Sequence, residues 1–147
     1  MNENIIQFIQ QQTCATVSCV DEQRRPYCFT CFYAFNSEEG LLYFKTAVDS
    51  HHSLLMKKNP FVAGTILPDK LNPLQVKGLQ FEGILLDECH TLCRYASGAY
   101  YRKHMMAIAI RGDIRVIQIN SIKMTDSTMG FGKKITWQRD AYVHSHQ

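Results

Sequence analysis

The chain has 147 residues, 46% hydrophobic and 20% charged, which suits one packed domain and excludes a disordered chain. Its formal net charge of +3 mildly favours an anionic ligand and falls well short of a nucleic-acid-binding surface. The start "MNENIIQFIQQQ" lacks the basic opening and apolar run of a signal peptide, no stretch reaches membrane-spanning length, and six cysteines without a secretion signal read as reduced thiols, so a soluble cytoplasmic protein is expected.

In chain order, Ile5, Ile6, Phe8 and Ile9 cluster on one side of a short helical pattern, which predicts a helix covering the edge or mouth of a larger element. From Thr13 the period changes to that of strands. "TCATVSCV", "YCFTCFYAF" and "LLYFKT", separated by the turns "DEQRRP" and "NSEEG", predict a three-stranded antiparallel meander. "SHHSLLMKK" reads as a short helix stopped by Asn59-Pro60. "FVAGTIL" is an apolar strand, and "LQVKGLQFEGILL" is a long one whose two glycines imply a bend or bulge. Residues from Asp87 to His104 read as a helix interrupted at Gly98, and "MAIAI" has the length of a strand. "DIRVIQINSIKMT" and "KKITWQR" are the last two strands. Regular strand–helix alternation is absent, which argues against a parallel nucleotide-binding sheet. The expected fold is mainly β (α+β): a six- to seven-stranded antiparallel barrel with flanking helices.

The cysteines resemble chemistry more than they supply it. Cys28 and Cys31 form a C-x-x-C, but on a strand residues three apart face opposite ways, so they do not share an ion. Cys14 and Cys19 meet the same objection, and Cys89, His90 and Cys93 lack a fourth ligand. Buried, inert thiols are expected and no metal site is assigned. A cysteine–histidine nucleophile pair is equally unsupported, because nothing local places a thiolate beside a base and an orienting group.

The segment "KTAVDSHHS" carries more. Ser50 stands where an N-cap would accept an amide one turn on, which puts His51 and His52 in the first helical turn. Unpaired N–H groups and the positive helix end converge there, an arrangement that attracts phosphate. Thr46, ending the preceding strand, adds a hydroxyl. The alternative is a capped surface helix whose histidines face water. Adjacent histidines do not share a helix face, which disfavours zinc.

At "FKTAVDSHHSLLMKKNPFVAG" the chain resembles the pyridoxamine phosphate oxidase-like flavoproteins. Their pattern runs from a strand ending in Thr, through Ser and two basic residues, into a helix ending Asn-Pro. The resemblance extends to "KGLQFEG" and to "RVIQINSIKMTDSTMGFGKKITWQR", covering Cys14 to Arg139, and is nearest to a small bacterial branch sharing the "TDSTMGFGKKITW" ending. It implies a homodimeric split barrel with FMN at the subunit interface. Thr46, Ser50, His51 and His52 fall where the family grips the FMN phosphate, with histidines replacing Arg and Lys, so affinity would be weaker and pH-dependent. Phe29, Thr30, Cys31 and Phe32 lie on the strand whose backbone runs along the isoalloxazine edge. Gln80 is on the facing strand, although the family's flavin-contacting Gln aligns with Gly78. Lys134 keeps a positive charge where the family has Arg. The substrate-holding Arg-x-His of pyridoxamine phosphate oxidase aligns with Gly130 and Gly132, which predicts poor activity on that substrate. Glycines also suit a loop that needs positive φ, and Trp137 reads as a packing residue, with stacking on flavin or on a partner as the alternative.

The leading expectation is an FMN-dependent oxidoreductase acting on a small-molecule substrate or electron donor, with no nucleic-acid or membrane partner and no catalytic side chain assigned. Two rivals stand beside it: a non-catalytic module that stores or senses flavin or haem, and a barrel that has lost its cofactor and serves as an interaction protein.

Overall fold

In the computed structural model, which describes residues 1–130 and 133–140, the first helix and the meander lie where the periodicity puts them. Helix α1 (Glu3–Gln11) is capped by Asn2, whose side chain accepts from the Asn4 amide. Strands β1 (Cys14–Val20), β2 (Pro26–Asn36) and β3 (Leu41–Thr46) pair in succession, all antiparallel. Helix α2 (His51–Lys58) follows, then β4 (Phe61–Ile66), β5 (Lys77–Leu85), α3 (Ala96–Lys103), β6 (Asp113–Asp126) and β7 (Lys134–Gln138).

β1 pairs with β4 on its second edge, β4 with β5 and β5 with β6. The first half of β6 pairs with β3, which closes a six-stranded antiparallel barrel. β7 takes the second half of that same β6 edge, from Ser121 to Thr125, as an extra strand. One consequence positions the site. β2 is paired with β1 from Pro26 to Phe32, but β3 meets β2 only from Tyr33 onward. Among the described residues, no strand covers the other edge of Tyr27–Phe32.

Alternation along the strands fills the interior. Ala15, Val17 and Cys19 of β1, Leu42 and Phe44 of β3, and Leu79 and Phe81 of β5 share one buried cluster. Ile5, Phe8 and Ile9 of α1 join that cluster, and the Tyr33 hydroxyl donates to Ile9 O at 2.6 Å, so α1 plugs one mouth of the barrel. Each fully buried Val, Leu, Ile or Phe among them stabilises by about 1.5–3 kcal/mol. A second cluster lies outside the barrel wall, where Leu41, Tyr43 and Val116 pack beneath Ala96 and Tyr100 of α3. Of the two β5 glycines, Gly83 marks a register shift against β6. A Cβ there would lie 2.6 Å from Gln118 O, so only glycine lets the strands close at the bulge.

Several expectations need correction. The helix expected from Asp87 to His104 begins only at Ala96. Asp87 and His90 accept from the Cys89 and Leu92 amides, which turns the chain through a short 3-10 segment at Thr91–Cys93. Gly98 sits inside α3 with open space around it, so it does not interrupt the helix. The "MAIAI" stretch is not a strand but part of a 3-10 turn, Met105–Ala109; the edges of β3 and β6 nearest it are already paired with each other. β5 starts at Lys77 rather than Leu74, because Asn72 accepts from the Leu74 and Gln75 amides and holds a turn there. Ile6 is only half-buried, off the face that plugs the barrel. No helix among the described residues is long and apolar enough to cross a membrane.

Candidate functional site

β3 ends at Thr46, and a turn closed by the Ser50 amide on Ala47 O leads into α2. Ser50 is the N-cap, accepting from the Ser53 amide at 3.3 Å. Its hydroxyl donates to Ser53 Oγ at 2.7 Å, and Ser53 in turn donates to Ala47 O at 2.8 Å. Thr46 is buried at 9% exposure, with its Oγ1 3.2 Å from Ser50 Oγ and 2.6 Å from His52 Nε2. The His52 ring lies flat on Phe29 of β2, with centroids 3.8 Å apart and planes 11° apart. Burial pushes this imidazole below its ordinary value, and neighbouring His51 adds to the shift, so His52 favours the neutral form. His51 is exposed and lies edge-on to Tyr27 at 4.8 Å.

The structure therefore joins Thr46, Ser50 and His52 in one network and turns His51 away, toward the β1–β2 hairpin. The amides of His51 and His52 open α2, where no earlier helical carbonyl reaches them. The uncovered edge of β2 starts at this same corner, because Tyr27 and Phe29 are the residues touching His51 and His52. Along that edge Phe29 and Cys31 turn toward the barrel core, while Thr30 and Phe32 face outward, Phe32 at 56% exposure.

The remaining candidates lie elsewhere. Gln80 borders a separate cleft of about 580 Å³ on the outer barrel wall, with Cys28, Thr65 and Trp137. Lys134 opens β7 opposite Thr125, outside that cleft. Cys28 is exposed and Cys31 buried, on opposite faces of β2, and burial pushes the Cys31 thiol up to about 12. Among the described residues, no three His, Cys, Asp or Glu side chains are placed to hold a metal ion. Gly130 adopts φ +122, the positive-φ loop conformation that favours glycine. Gly132 lies outside the described residues. Trp137 is half-buried against the core cluster. Two residues that the sequence reading did not select complete the corner. Ser53, at the third helical position where a cap partner is expected, closes the hydroxyl network. Tyr27 becomes visible only when β2 folds against α2.

These features define a six-stranded split barrel with an open strand edge against a capped helix. A solved haem-binding protein from Mycobacterium smegmatis is similar to it, with a TM-score of 0.75 at 13% identity over 92% of this chain. This chain spans 56% of that protein's length. A FAD-binding protein from Mesorhizobium loti gives 0.66 at 14% identity, covering 84% of this chain and 90% of its own. An F420 reductase gives 0.58 at 19% identity, covering 83% and 98%. At these identities the likeness is one of fold. No family model matches the sequence. A UPF0306 protein of Photorhabdus laumondii is 41% identical over 113 residues, which is 77% of this chain and 79% of the relative. One from Yersinia enterocolitica is 31% identical over 135 residues, 92% and 91% of the two chains. The chain belongs to the UPF0306 family.

Proposed function

We propose that this protein is a flavin-binding split barrel that holds FMN and takes part in flavin-dependent redox chemistry. The observation that carries the reading is the meeting of the uncovered β2 edge, Tyr27 to Phe32, with the first turn of α2. A helix start supplies amide donors and partial positive charge for a phosphate. A free strand edge supplies donors and acceptors for a planar ring with carbonyl and imide groups. Ser50, His52 and the backbone amide of His51 would hold the phosphate, and Thr46 would fix the His52 ring. The backbone of Phe29, Thr30, Cys31 and Phe32 would face the flavin edge. FMN, when bound, supplies the electron-accepting and electron-donating chemistry; the chain orients it and shields it from water. Gln80 stands three strands from Thr30 across the wall, through Thr16 and Thr65, and Lys134 lies on β7 beyond β6. Their role in the reading is across a dimer interface.

In this reading a second copy covers the outer wall. Thr16, Thr30, Phe32, Phe61, Ala63 and Thr65 are outward-facing and uncharged, a surface suited to burial. Solved haem-binding and haem-storage proteins of similar fold support the other reading, a haem-holding module. The two differ by experiment. Anaerobic reduction of the FMN-loaded protein by NADPH or NADH, followed by rapid reoxidation, is expected for the oxidoreductase. A protein that takes up haemin and leaves FMN unbound belongs to the alternative. Pyridoxamine phosphate is expected to be oxidised poorly, since neither Gly130 nor Gly132 offers a side chain to hold it.

A further inference from the structure

β2 and β3 part at a fork, and one segment of the chain is fastened to both sides of it. Continuing the register that sets Tyr33 opposite Phe44 would put Phe32 against Lys45, but the strands separate before that pair. Lys45 reaches out from β3 instead, donating to Ala107 O at 2.7 Å and to the Tyr101 hydroxyl at 2.8 Å. On the β2 side, His104 Nε2 lies 2.7 Å from Tyr33 O, so this nitrogen carries the proton and donates. Between these anchors Met105–Ala109 winds as a 3-10 turn, closed by the Ala107 amide on His104 O at 3.1 Å.

The fastened segment keeps its apolar side chains in water. Met105 is 72% exposed, Met106 87%, and Ile108 and Ile110 67% each. Apolar groups exposed together on a backbone held this firmly mark a surface that something covers. Met105, Met106, Ala107 and Ile110 border a cleft of about 580 Å³ together with Phe32 and Tyr100. That volume admits a small molecule. The His104 ring meets both aromatics, 5.8 Å from Phe32 and 4.9 Å from Tyr100 between centroids. The charged residues on the border are Arg102 and Lys103, and none there is acidic. Lys103 is engaged elsewhere, since its Nζ donates to Gln12 O at 2.7 Å. Among the described residues Arg102 has no ion pair, which leaves its guanidinium for a ligand.

We propose that this cleft binds a planar aromatic carboxylate, its ring against Phe32, Tyr100 and the methionines and its carboxylate on Arg102. Thioethers and aromatic rings suit a flat apolar ring. A guanidinium holds a carboxylate through two parallel N–H donors. The single sign of charge favours a small anion over a second copy of the chain. A twofold-related copy would bring its own Arg102 and Lys103 to the same border, where like charges repel. Phe32 ends the uncovered stretch of β2, so the ligand lies next to the strand edge given to the flavin ring. Calling it the flavin's substrate rests on that reading, whereas its binding does not.

The test titrates naphthalene-2-carboxylate and naphthalene-2-carboxamide into the parent, Met106→Ser and Arg102→Gln, each with and without FMN. Both replaced side chains are exposed, so the variants should melt with the parent. One carboxylate is expected to bind per chain, about tenfold less tightly in either variant. The neutral amide should bind the parent about tenfold less tightly than the carboxylate and lose nothing further in Arg102→Gln. A parent that binds neither probe overturns the proposal. So does a variant that binds the carboxylate as the parent does, or a parent that binds carboxylate and amide alike. A dimer that Met106→Ser splits, with no probe bound by the parent, gives the cleft to a second copy instead. Probe bound without FMN keeps this site and removes the flavin reading; FMN bound without the probe does the reverse.

Discussion

His52 rests face to face on Phe29, 3.8 Å between ring centres, while its Nε2 sits 2.6 Å from the Thr46 hydroxyl. One imidazole thus ties the end of β3 and the exposed half of β2 to the first turn of α2. Packing and the candidate phosphate corner depend on the same side chain.

Because His52 lies below its ordinary value in the fold, the unfolded chain takes up a proton there more readily. Its contribution to stability is therefore full above about pH 6.5 and is lost as pH falls through the lower folded value. Urea midpoints measured between about pH 8 and pH 5 should decline more steeply for the parent than for His52→Phe. Parallel curves would contradict the assignment.

Binding of a phosphate reverses that balance. An anion at the α2 corner favours imidazolium, so FMN binding is expected to take up protons, and its affinity to rise as pH falls from about 8 toward 6. Below that the phosphate itself begins to protonate and the rise should stop. Calorimetry in two buffers of different ionisation enthalpy measures the uptake directly. Proton release on binding would speak against the placement.

Replacing His51 and His52 together with Ala should reduce FMN retention more than it reduces folding stability. Ser50→Ala removes the cap from the Ser53 amide and the donor to Ser53 Oγ, at a cost of about 1 kcal/mol, and should weaken FMN binding as well. Urea titration beside a flavin fluorescence titration separates the two effects. Unchanged flavin content in the double histidine variant would place the phosphate elsewhere.

Exposed Cys28 and Cys89 should react at once with a thiol reagent in the native protein, while Cys19 and Cys31, sealed in the barrel, should react only on unfolding. Mass mapping of the labelled protein distinguishes them. Gly83→Ala should cost about 1–3 kcal/mol, since the added methyl meets the Gln118 carbonyl at the bulge.

Much of this fold is legible in the sequence. The β-branched alternation of Cys14–Val20 and the helical spacing of Ile5, Phe8 and Ile9 each have one low-energy outcome, and the structure adopts it. The Ser50 cap is local as well, so the start of α2 falls where the sequence puts it. The stretch from Asp87 to Ile110 is not legible, because side-chain acceptors such as Asp87 and His90 compete with the helix and short-range pattern does not weigh that competition. The uncovered half of β2 is invisible for another reason: β3 is shorter than β2 and meets it only from Tyr33 onward, and only the assembled barrel shows that no other strand takes the free edge among the described residues.

The most direct measurement is the absorption spectrum of the untreated purified protein, followed by FMN titration of any colourless fraction. A flavin spectrum, or saturable quenching of FMN fluorescence that is lost in the His51 and His52 double variant, is the predicted result. A colourless protein that leaves FMN fluorescence unquenched, or one that carries a haem band and no flavin, would contradict it.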